Sequence, residues 1–232
     1  TLAIVSFTGD VTANSFTSAA TSVSLVSNIA VEQTMNLTAG VLTIGSGGIL
    51  TLQNNSTIVV NGGSLNVTGT GVLSLNSNYN VVYNGSSTSG GLELSGAGLD
   101  NVTVSLSGAS QSVTLTNDLT VNGMLQLQGG QFNTGGNDVT LNGGFMVSGT
   151  GTIVSSNGSD FTLGGSTGGT LVFSSSANNV NDFTINLPSA ATVSLGSDLN
   201  ITGDFSNTSG TIDISDIDLA ISGDVIGNGT IM

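Results

Sequence analysis

The residues of this chain best suited to chemistry are aspartates that recur at intervals of twenty positions. Asp118 and Asp138 open the phrases DLTVNG and DVTLNG, and Asp198 and Asp218 open DLNITGD and DLAISGD. Stacked carboxylates disfavour joint ionisation unless solvent or a cation separates them, and Ca²⁺ takes oxygen ligands only. The spacing therefore makes these four aspartates candidate ligands for Ca²⁺, and the sequence indicates no other cofactor.

The same spacing also fits a structural role. An Asn-Asp pair such as Asn137-Asp138 is typical of a chain corner, where the short side chain accepts a main-chain N–H. Asp204 and Asp224, again twenty positions apart, would form a further pair of this kind. The chain contains neither a GGxGxD nonapeptide nor an EF-hand loop, which favours the corner role over a specific metal site.

Composition excludes most catalytic arrangements. The chain has no His, Cys or Lys, so Ser-His-Asp, Cys-His and lysine-activated nucleophiles are impossible. Two carboxylates suffice for glycoside hydrolysis, and the candidates are Asp213, Asp216 and Asp218, or Glu93 with Asp100. Because no aromatic sugar platform accompanies them, the sequence predicts a protein without enzymatic activity. The alternative is a carbohydrate-binding module or a glycoside hydrolase.

The charge of the chain limits its partners. Fourteen acidic residues face no Lys or Arg, which gives a net charge of −14. Binding to phosphate depends on basic residues, so nucleic acid and anionic membrane surfaces are excluded as partners. No apolar run reaches the length of about twenty residues that spans a bilayer, so we expect no membrane insertion.

The fold class follows from composition and from the short repeat. Val, Leu and Ile dominate the apolar residues, and Thr, Ser, Asn and Gly surround them, which favours strands and turns. The stretch LTVNGMLQLQGGQFNTGGND alternates apolar and polar residues between Gly-containing corners. Three strands and three corners per twenty residues predict an all-β, right-handed parallel β-helix (β-solenoid) of eleven or twelve coils. The alternative is three tandem Ig-like sandwiches.

A longer repeat of about eighty residues overlies the short one. VTLTNDLTVNG at 113–123 returns as VSLGSDLNITG at 193–203, and SGTGTI at 148–153 returns as IGNGTI at 226–231. Degenerate copies cover approximately residues 18–75, 92–154 and 171–232. We interpret these copies as parts of one solenoid domain that occupies residues 1–232.

The phrasing of VTLTNDLTVNGMLQLQGGQFNTGGNDVTLNGG and VSGTGTI resembles the repeats of secreted bacterial surface proteins. These are β-helical adhesins and autotransporter-like or type IX-secreted filament proteins. The resemblance covers most of the chain from about residue 20. It implies an extracellular or cell-surface scaffold without a catalytic centre, whose partners are copies of itself, neighbouring surface proteins or surface glycans.

The ends of the chain carry no charged cap or amphipathic helix. An uncapped coil exposes backbone groups and apolar side chains to which another chain can add. Thr1-Leu2-Ala3-Ile4 resembles a mid-repeat strand, and GNGTIM stops where the related GTGTIV runs on. The chain is therefore either a fragment of a longer repeat protein or a protomer that stacks head to tail into a filament.

Overall fold

Short segments that alternate apolar and polar residues fold into strands which present their apolar side chains to one interior. The computed structural model is a parallel β-solenoid of about ten turns, each of about 21 residues. It describes residues 3–5, 9–20, 22–75, 78–165, 168–215 and 217–232. Every strand pairing in these ranges is parallel, which confirms the predicted solenoid and shows that the sandwich alternative is wrong.

The strands are short and follow one another closely along the chain. In the first part of the chain they are β1 (Ala3–Val5), β2 (Val11–Ser18), β3 (Ser22–Leu25), β4 (Asn28–Leu37), β5 (Gly40–Ile44), β6 (Ile49–Leu52), β7 (Ser56–Val60), β8 (Gly63–Val67), β9 (Val72–Ser74), β10 (Tyr79–Tyr83), β11 (Thr88–Gly90) and β12 (Leu99–Ser105). A 3-10 helix, Leu92–Leu94, lies between β11 and β12.

The later strands are β13 (Ser112–Leu115), β14 (Leu119–Val121), β15 (Met124–Gly129), β16 (Gln131–Asn133), β17 (Val139–Leu141), β18 (Gly144–Val147), β19 (Thr152–Ser155), β20 (Phe161–Leu163), β21 (Thr170–Leu171), β22 (Phe173–Val180), β23 (Phe183–Asn186), β24 (Thr192–Leu195), β25 (Leu199–Ile201), β26 (Phe205–Ser209), β27 (Thr211–Asp213), β28 (Leu219–Ile221), β29 (Val225–Ile226) and β30 (Thr230–Ile231).

These strands form five sheets that make up three faces of the solenoid. Sheet A is β1-β3-β5-β8; sheet B contains β2, β4, β6, β7, β9, β10, β12, β15 and β18; sheet C is β11-β13-β16-β19-β22-β25-β28; sheet D is β14-β17-β20-β23-β26-β29; and sheet E is β21-β24-β27-β30. β18, the last strand of sheet B, follows β17 of sheet D. β21, the first strand of sheet E, follows β20 of sheet D in the same way, so sheet E continues the face that sheet B forms in the earlier turns. Two strands of sheet B, β4 and β2, turn a corner: 28–31 of β4 pairs with β6, and 34–37 pairs with β7.

The interior is a stack of apolar columns that run along the solenoid axis. One column begins with Leu119 and Val139 and continues through Phe161, Phe183 and Phe205, each fully or almost fully buried. The ring centroids of Phe161 and Phe183 are 6.2 Å apart and those of Phe183 and Phe205 are 5.9 Å apart, at the separations that favour aromatic pairs. Within the described ranges no helix is long and apolar enough to cross a membrane.

The long sequence repeat is out of phase with the turns. The echoing segments 113–123 and 193–203 place their strands β14 and β25 in sheets D and C respectively. Asp118 and Asp204 lie four turns apart along sheet D and 86 positions apart, so eighty residues fall short of four turns by about one face. The solenoid has about ten turns of about 21 residues, so the predicted number of eleven or twelve coils is wrong.

The regular stacking is interrupted at residues 84–98, which we call the junction. Sheet A ends at β8, before the junction, and sheets C and D begin at β11 and β14. Among the described residues, only sheet B continues from one side of the junction to the other, through β7, β10, β12 and β15. We refer to β1–β10 as the N-terminal stack and to β12–β30 as the C-terminal stack. The two stacks therefore share one continuous sheet and are joined elsewhere by side chains.

Candidate functional site

The aspartates of the C-terminal stack form a continuous column, which we call the aspartate ladder. The Asp138 N–H donates to Asp118 Oδ1 over 3.0 Å, and the same bond repeats in every following turn at 2.8–3.1 Å. The members of the ladder are Asp118, Asp138, Asp160, Asp182, Asp204 and Asp224. Each carboxylate below the last thus accepts the main-chain N–H of the aspartate one turn above.

Local geometry explains why Asp suits this position. Each member directly precedes a strand of sheet D, and the carbonyl of every member after Asp118 accepts an N–H from the turn below, as in Leu119 N–H to Asp138 O at 2.8 Å. Its own N–H then points at the carboxylate of the turn below, where a short acceptor side chain fits. This is the corner role that the Asn-Asp phrases predict.

The four predicted Ca²⁺ ligands occupy two separate corners. Asp118 and Asp138 belong to the ladder before sheet D, whereas Asp198 and Asp218 precede β25 and β28 of sheet C. The Asp218 N–H donates to Asp198 Oδ1 over 2.9 Å, so this pair repeats the ladder geometry on another edge. No group of three acidic side chains in the described residues is arranged to hold a metal ion. The Ca²⁺ site stays a prediction.

Sequence reasoning missed two members of the ladder. Asp160 and Asp182 connect the predicted pair Asp118–Asp138 to the predicted pair Asp204–Asp224. Their turns are 22 residues long, and Phe in place of Leu or Val follows each Asp, so a search for the interval of twenty passed over them. The motifs DFTL and DFTI could have identified them, because Thr follows Asp by two positions in these motifs as it does in DLTV and DVTL.

The outer surface of sheet D carries two further polar columns. Residues two positions after the first five aspartates point outward because side chains alternate along a strand, and they are paired in register between turns. These residues are Thr120, Thr140, Thr162, Thr184 and Ser206. Immediately after β14 and β17, Asn142 Nδ2 donates to Asn122 Oδ1 over 3.2 Å. The face thus presents carboxylates, hydroxyls and amides in parallel rows, about 4.8 Å apart along each row.

The corner after sheet D depends on glycine. A Cβ on Gly143 would collide with the carbonyl of Gly123, and one on Gly165 would collide with the carbonyl of Gly143. Glycine at this corner therefore lets consecutive turns approach closely enough for the strands on either side to pair.

The candidate glycosidase carboxylates are dispersed. Asp213 accepts hydrogen bonds from the Ser215 hydroxyl at 2.7 Å and the Ser215 N–H at 3.0 Å, and these bonds lower the pKa of Asp213. Asp216 lies outside the described residues. Asp218 donates its N–H to Asp198, in the corner already described.

Glu93 and Asp100 differ in their access to solvent. Glu93 is only 2% exposed, and its Oε1 accepts the Tyr83 hydroxyl at 2.6 Å and the Gly91 N–H at 2.9 Å. A sugar cannot reach it in this arrangement. Asp100 is half-buried, and its Oδ2 accepts Asn101 Nδ2 at 3.0 Å. The two residues therefore do not share an accessible cleft.

The junction gathers the only two tyrosines of the chain around Glu93. The Gly96 N–H donates to the Tyr79 hydroxyl over 3.0 Å, so Tyr79 and Tyr83 each bind the segment that replaces a regular strand. Burial raises the pKa of Tyr79 to about 12, with the Glu93 charge adding to the rise and the Gly96 bond opposing it. Burial and then Glu93 raise the pKa of Tyr83 well above its ordinary value.

Comparison of the chain with protein-family models, curated proteins and solved structures finds no match in any of the three.

Proposed function

We propose that this chain is a non-catalytic structural protein, a β-solenoid subunit of a cell-surface filament or adhesin stalk that assembles head to tail. The observation that carries the proposal is the regular stack of about ten parallel turns around one apolar interior, which gives a rod built from repeated units. In β29 and β30, Val225 and Ile231 are 62% and 46% exposed, whereas the residues with which they pair in the preceding turn, Phe205 and Ile212, are buried.

An exposed apolar edge of this kind favours further strand pairing. The outer edges of β28, β29 and β30 have no neighbouring strand in the described part of the chain. Added parallel strands would cover Val225 and Ile231 and would pair the main-chain groups of β28, β29 and β30, both of which stabilise stacking. An extracellular location is supported by the resemblance described above and by the absence of Lys and Arg, which leaves trypsin-like proteases no cleavage site.

The first test is assembly of the purified chain. We expect electron microscopy to show unbranched rods longer than one protomer and light scattering to show growth with protein concentration. Val225→Asp places a charge on the apolar edge and should abolish growth, whereas Thr184→Asp, on the outer face of an inner turn, should leave it unchanged. Monomers at every concentration in the unaltered protein would overturn head-to-tail assembly.

The alternative function, glycan binding or hydrolysis, has its best location on the N-terminal stack. An open groove of about 290 Å³ is lined by Asp10, Asn28, Ile49 and Thr51, with no aromatic residue among the residues that line it. Its volume lies near the lower bound for small-molecule sites. Binding on a glycan array, or release of reducing sugar, that is lost in Asp10→Ala would favour this alternative over a purely structural role.

A further inference from the structure

Neighbouring turns of the solenoid are normally joined on every face. The turn formed by β4, β5 and β6 pairs with the next one through β4–β7, β5–β8 and β6–β9. Main-chain bonds at the corners add to these pairings, such as Thr68 N–H to Ile44 O at 2.9 Å and Val72 N–H to Gly48 O at 3.0 Å. Two turns joined in this way cannot tilt apart without breaking hydrogen bonds, which are directional and short.

The following contact along the axis lacks most of these bonds. Only β7 pairs with the turn above it, through β10, and the bond from Asn84 N–H to Val60 O at 3.1 Å continues this pairing. β8 ends sheet A, and β9 ends its branch of sheet B. Among the described residues, no main-chain hydrogen bond joins 63–73 to 84–98. One face of three is therefore hydrogen-bonded at this contact.

Apolar side chains close the other two faces of the contact. The 3-10 helix Leu92–Leu94 lies against β8, and Leu65 of β8 is buried, as is Leu94. Leu73 of β9 and Leu92 are partly buried and pack against the same core. Attraction between apolar groups is non-directional, so these faces can part slightly at a lower cost than faces held by hydrogen bonds.

The turn above the contact is tied more firmly to the C-terminal stack than to β7–β9. β10 pairs with β12 and β11 pairs with β13. The hydrogen bonds from Tyr83 to Glu93 and from Gly96 to Tyr79 hold the junction against β10. β10 and the junction therefore form one body with the turns that follow them.

We propose that the solenoid bends at this contact, with the β7–β10 pairing as the hinge and the two faces of β8 and β9 as the side that opens. The turns up to β9 move as one body and the turns from β10 onward as the other, while sheet B stays continuous. Residues 1–75 hold two acidic residues and residues 79–232 hold the other twelve. The hinge thus lets the weakly and strongly charged parts of a stalk take different directions, and it is independent of head-to-tail assembly.

Spin labels on paired cysteines test the hinge, because the chain has no cysteine of its own. Thr43→Cys/Asn133→Cys, the opening-side pair, crosses the contact on the face of sheets A and C. Asn36→Cys/Gln126→Cys, the sheet B pair, crosses it along the hinge. Each pair spans four turns, which is about 19 Å at the usual spacing of strands.

The matched control is a third pair that also spans four turns but lies within the C-terminal stack, Thr120→Cys/Ser206→Cys. Pulsed electron paramagnetic resonance, on labelled chains diluted with unlabelled protein, measures the distances within one chain. We expect the distances of the opening-side pair to be at least about twice as widely distributed as those of the other two pairs, because only this pair follows a hinge motion.

Two results would overturn the hinge. Equal widths for the opening-side pair and the control pair would show that the contact is as rigid as the regular turns. A sheet B pair as widely distributed as the opening-side pair would show that β7 and β10 separate as well, so that they are not a hinge. Neither result bears on head-to-tail assembly, which electron microscopy and light scattering test separately.

Discussion

The N-terminal and C-terminal stacks have the same fold but satisfy their corners differently. Residues 1–83 hold two of the fourteen acidic residues, the junction holds one, and residues 99–232 hold the other eleven. In the N-terminal stack, corner bonds join main-chain groups directly, as Gly45 N–H to Leu25 O at 2.8 Å and Thr68 N–H to Ile44 O at 2.9 Å. In the C-terminal stack a carboxylate is added at one corner of every turn. The comparison shows that a solenoid corner can accumulate charge without a compensating base where each carboxylate below the last accepts the N–H of the next turn.

The largest difference expected from mutation lies in the core of the C-terminal stack. Phe183 packs between Phe161 and Phe205, and Phe183→Ala should lower the free energy of unfolding by about 3–5 kcal/mol through lost burial and a residual cavity. Thr184→Ala, on the outer face beside it, should change it by less than about 0.5 kcal/mol. Urea unfolding followed by circular dichroism measures both. Equal effects of the two changes would contradict the assigned core.

Alkaline pH should weaken the connection between the two stacks. A tyrosine whose pKa is raised on folding stabilises the fold fully below the unfolded pKa of about 10, and this contribution is lost as pH rises through the folded value. For Tyr79 that value is about 12, which corresponds to about 2–3 kcal/mol. Unfolding free energy measured from pH 8 upward should therefore fall between pH 10 and 12.

Few groups of this chain titrate at alkaline pH. With no Lys, Arg, His or Cys, only the tyrosines and the amino terminus titrate above the range of the carboxyl groups. Tyr79→Phe/Tyr83→Phe should therefore remove the fall between pH 10 and 12. A fall of the same size in the double variant would show that the tyrosines are not its cause.

The hydrogen bond between Tyr83 and Glu93 should hold the junction in place. Tyr83→Phe leaves the buried carboxylate with one donor fewer and should cost about 1–3 kcal/mol, with faster amide exchange at residues 84–98. Glu93→Gln keeps an acceptor oxygen for both donors and should cost less. If Glu93→Gln were the more damaging change, a role for the negative charge itself would be indicated.

Substitutions in the ladder separate its hydrogen bonds from its charge. Asp160 Oδ1 accepts the Asp182 N–H at 3.1 Å and Asn181 Nδ2 at 2.8 Å, so Asp160→Ala should cost about 1 kcal/mol. Asp160→Asn keeps an acceptor and removes one of the stacked charges, so we expect it to be neutral or stabilising and to reduce the stabilising effect of salt. Glu32→Gln, an isolated exposed acid of the N-terminal stack, is the matched control and should change neither quantity.

The smallest expected effect concerns divalent cations. Because each carboxylate below Asp224 already accepts an N–H, Ca²⁺ should raise the melting temperature only by screening, and Mg²⁺ should do so equally. A larger rise with Ca²⁺ than with Mg²⁺, lost in Asp138→Asn and in Asp218→Asn, would instead establish the Ca²⁺ site that the sequence predicts.

The sequence alone predicted the architecture because turns of about twenty residues contain similar sequence motifs at the same positions. Asp118 and Asp138 stack because DLTVNG and DVTLNG occupy the same part of consecutive turns. The sequence did not predict the ladder members Asp160 and Asp182, because their turns are longer. Two extra residues at a corner change the interval between successive aspartates from 20 to 22 but leave the strands in register. The junction was also hidden, because the polar contacts of Tyr79, Tyr83 and Glu93 depend on side chains that meet across turns.

The phase difference between the eighty-residue repeat and the turns bears on how such a chain could have grown. Duplication of a twenty-residue segment lengthens a rod and keeps each surface residue on its original side. Duplication of eighty residues, which complete about one face less than four turns, moves every copied surface residue to the neighbouring side. Growth by the eighty-residue unit therefore moves a given surface pattern to a new face of the solenoid with each copy. A contact surface present in the first unit would then recur on different faces along one rod.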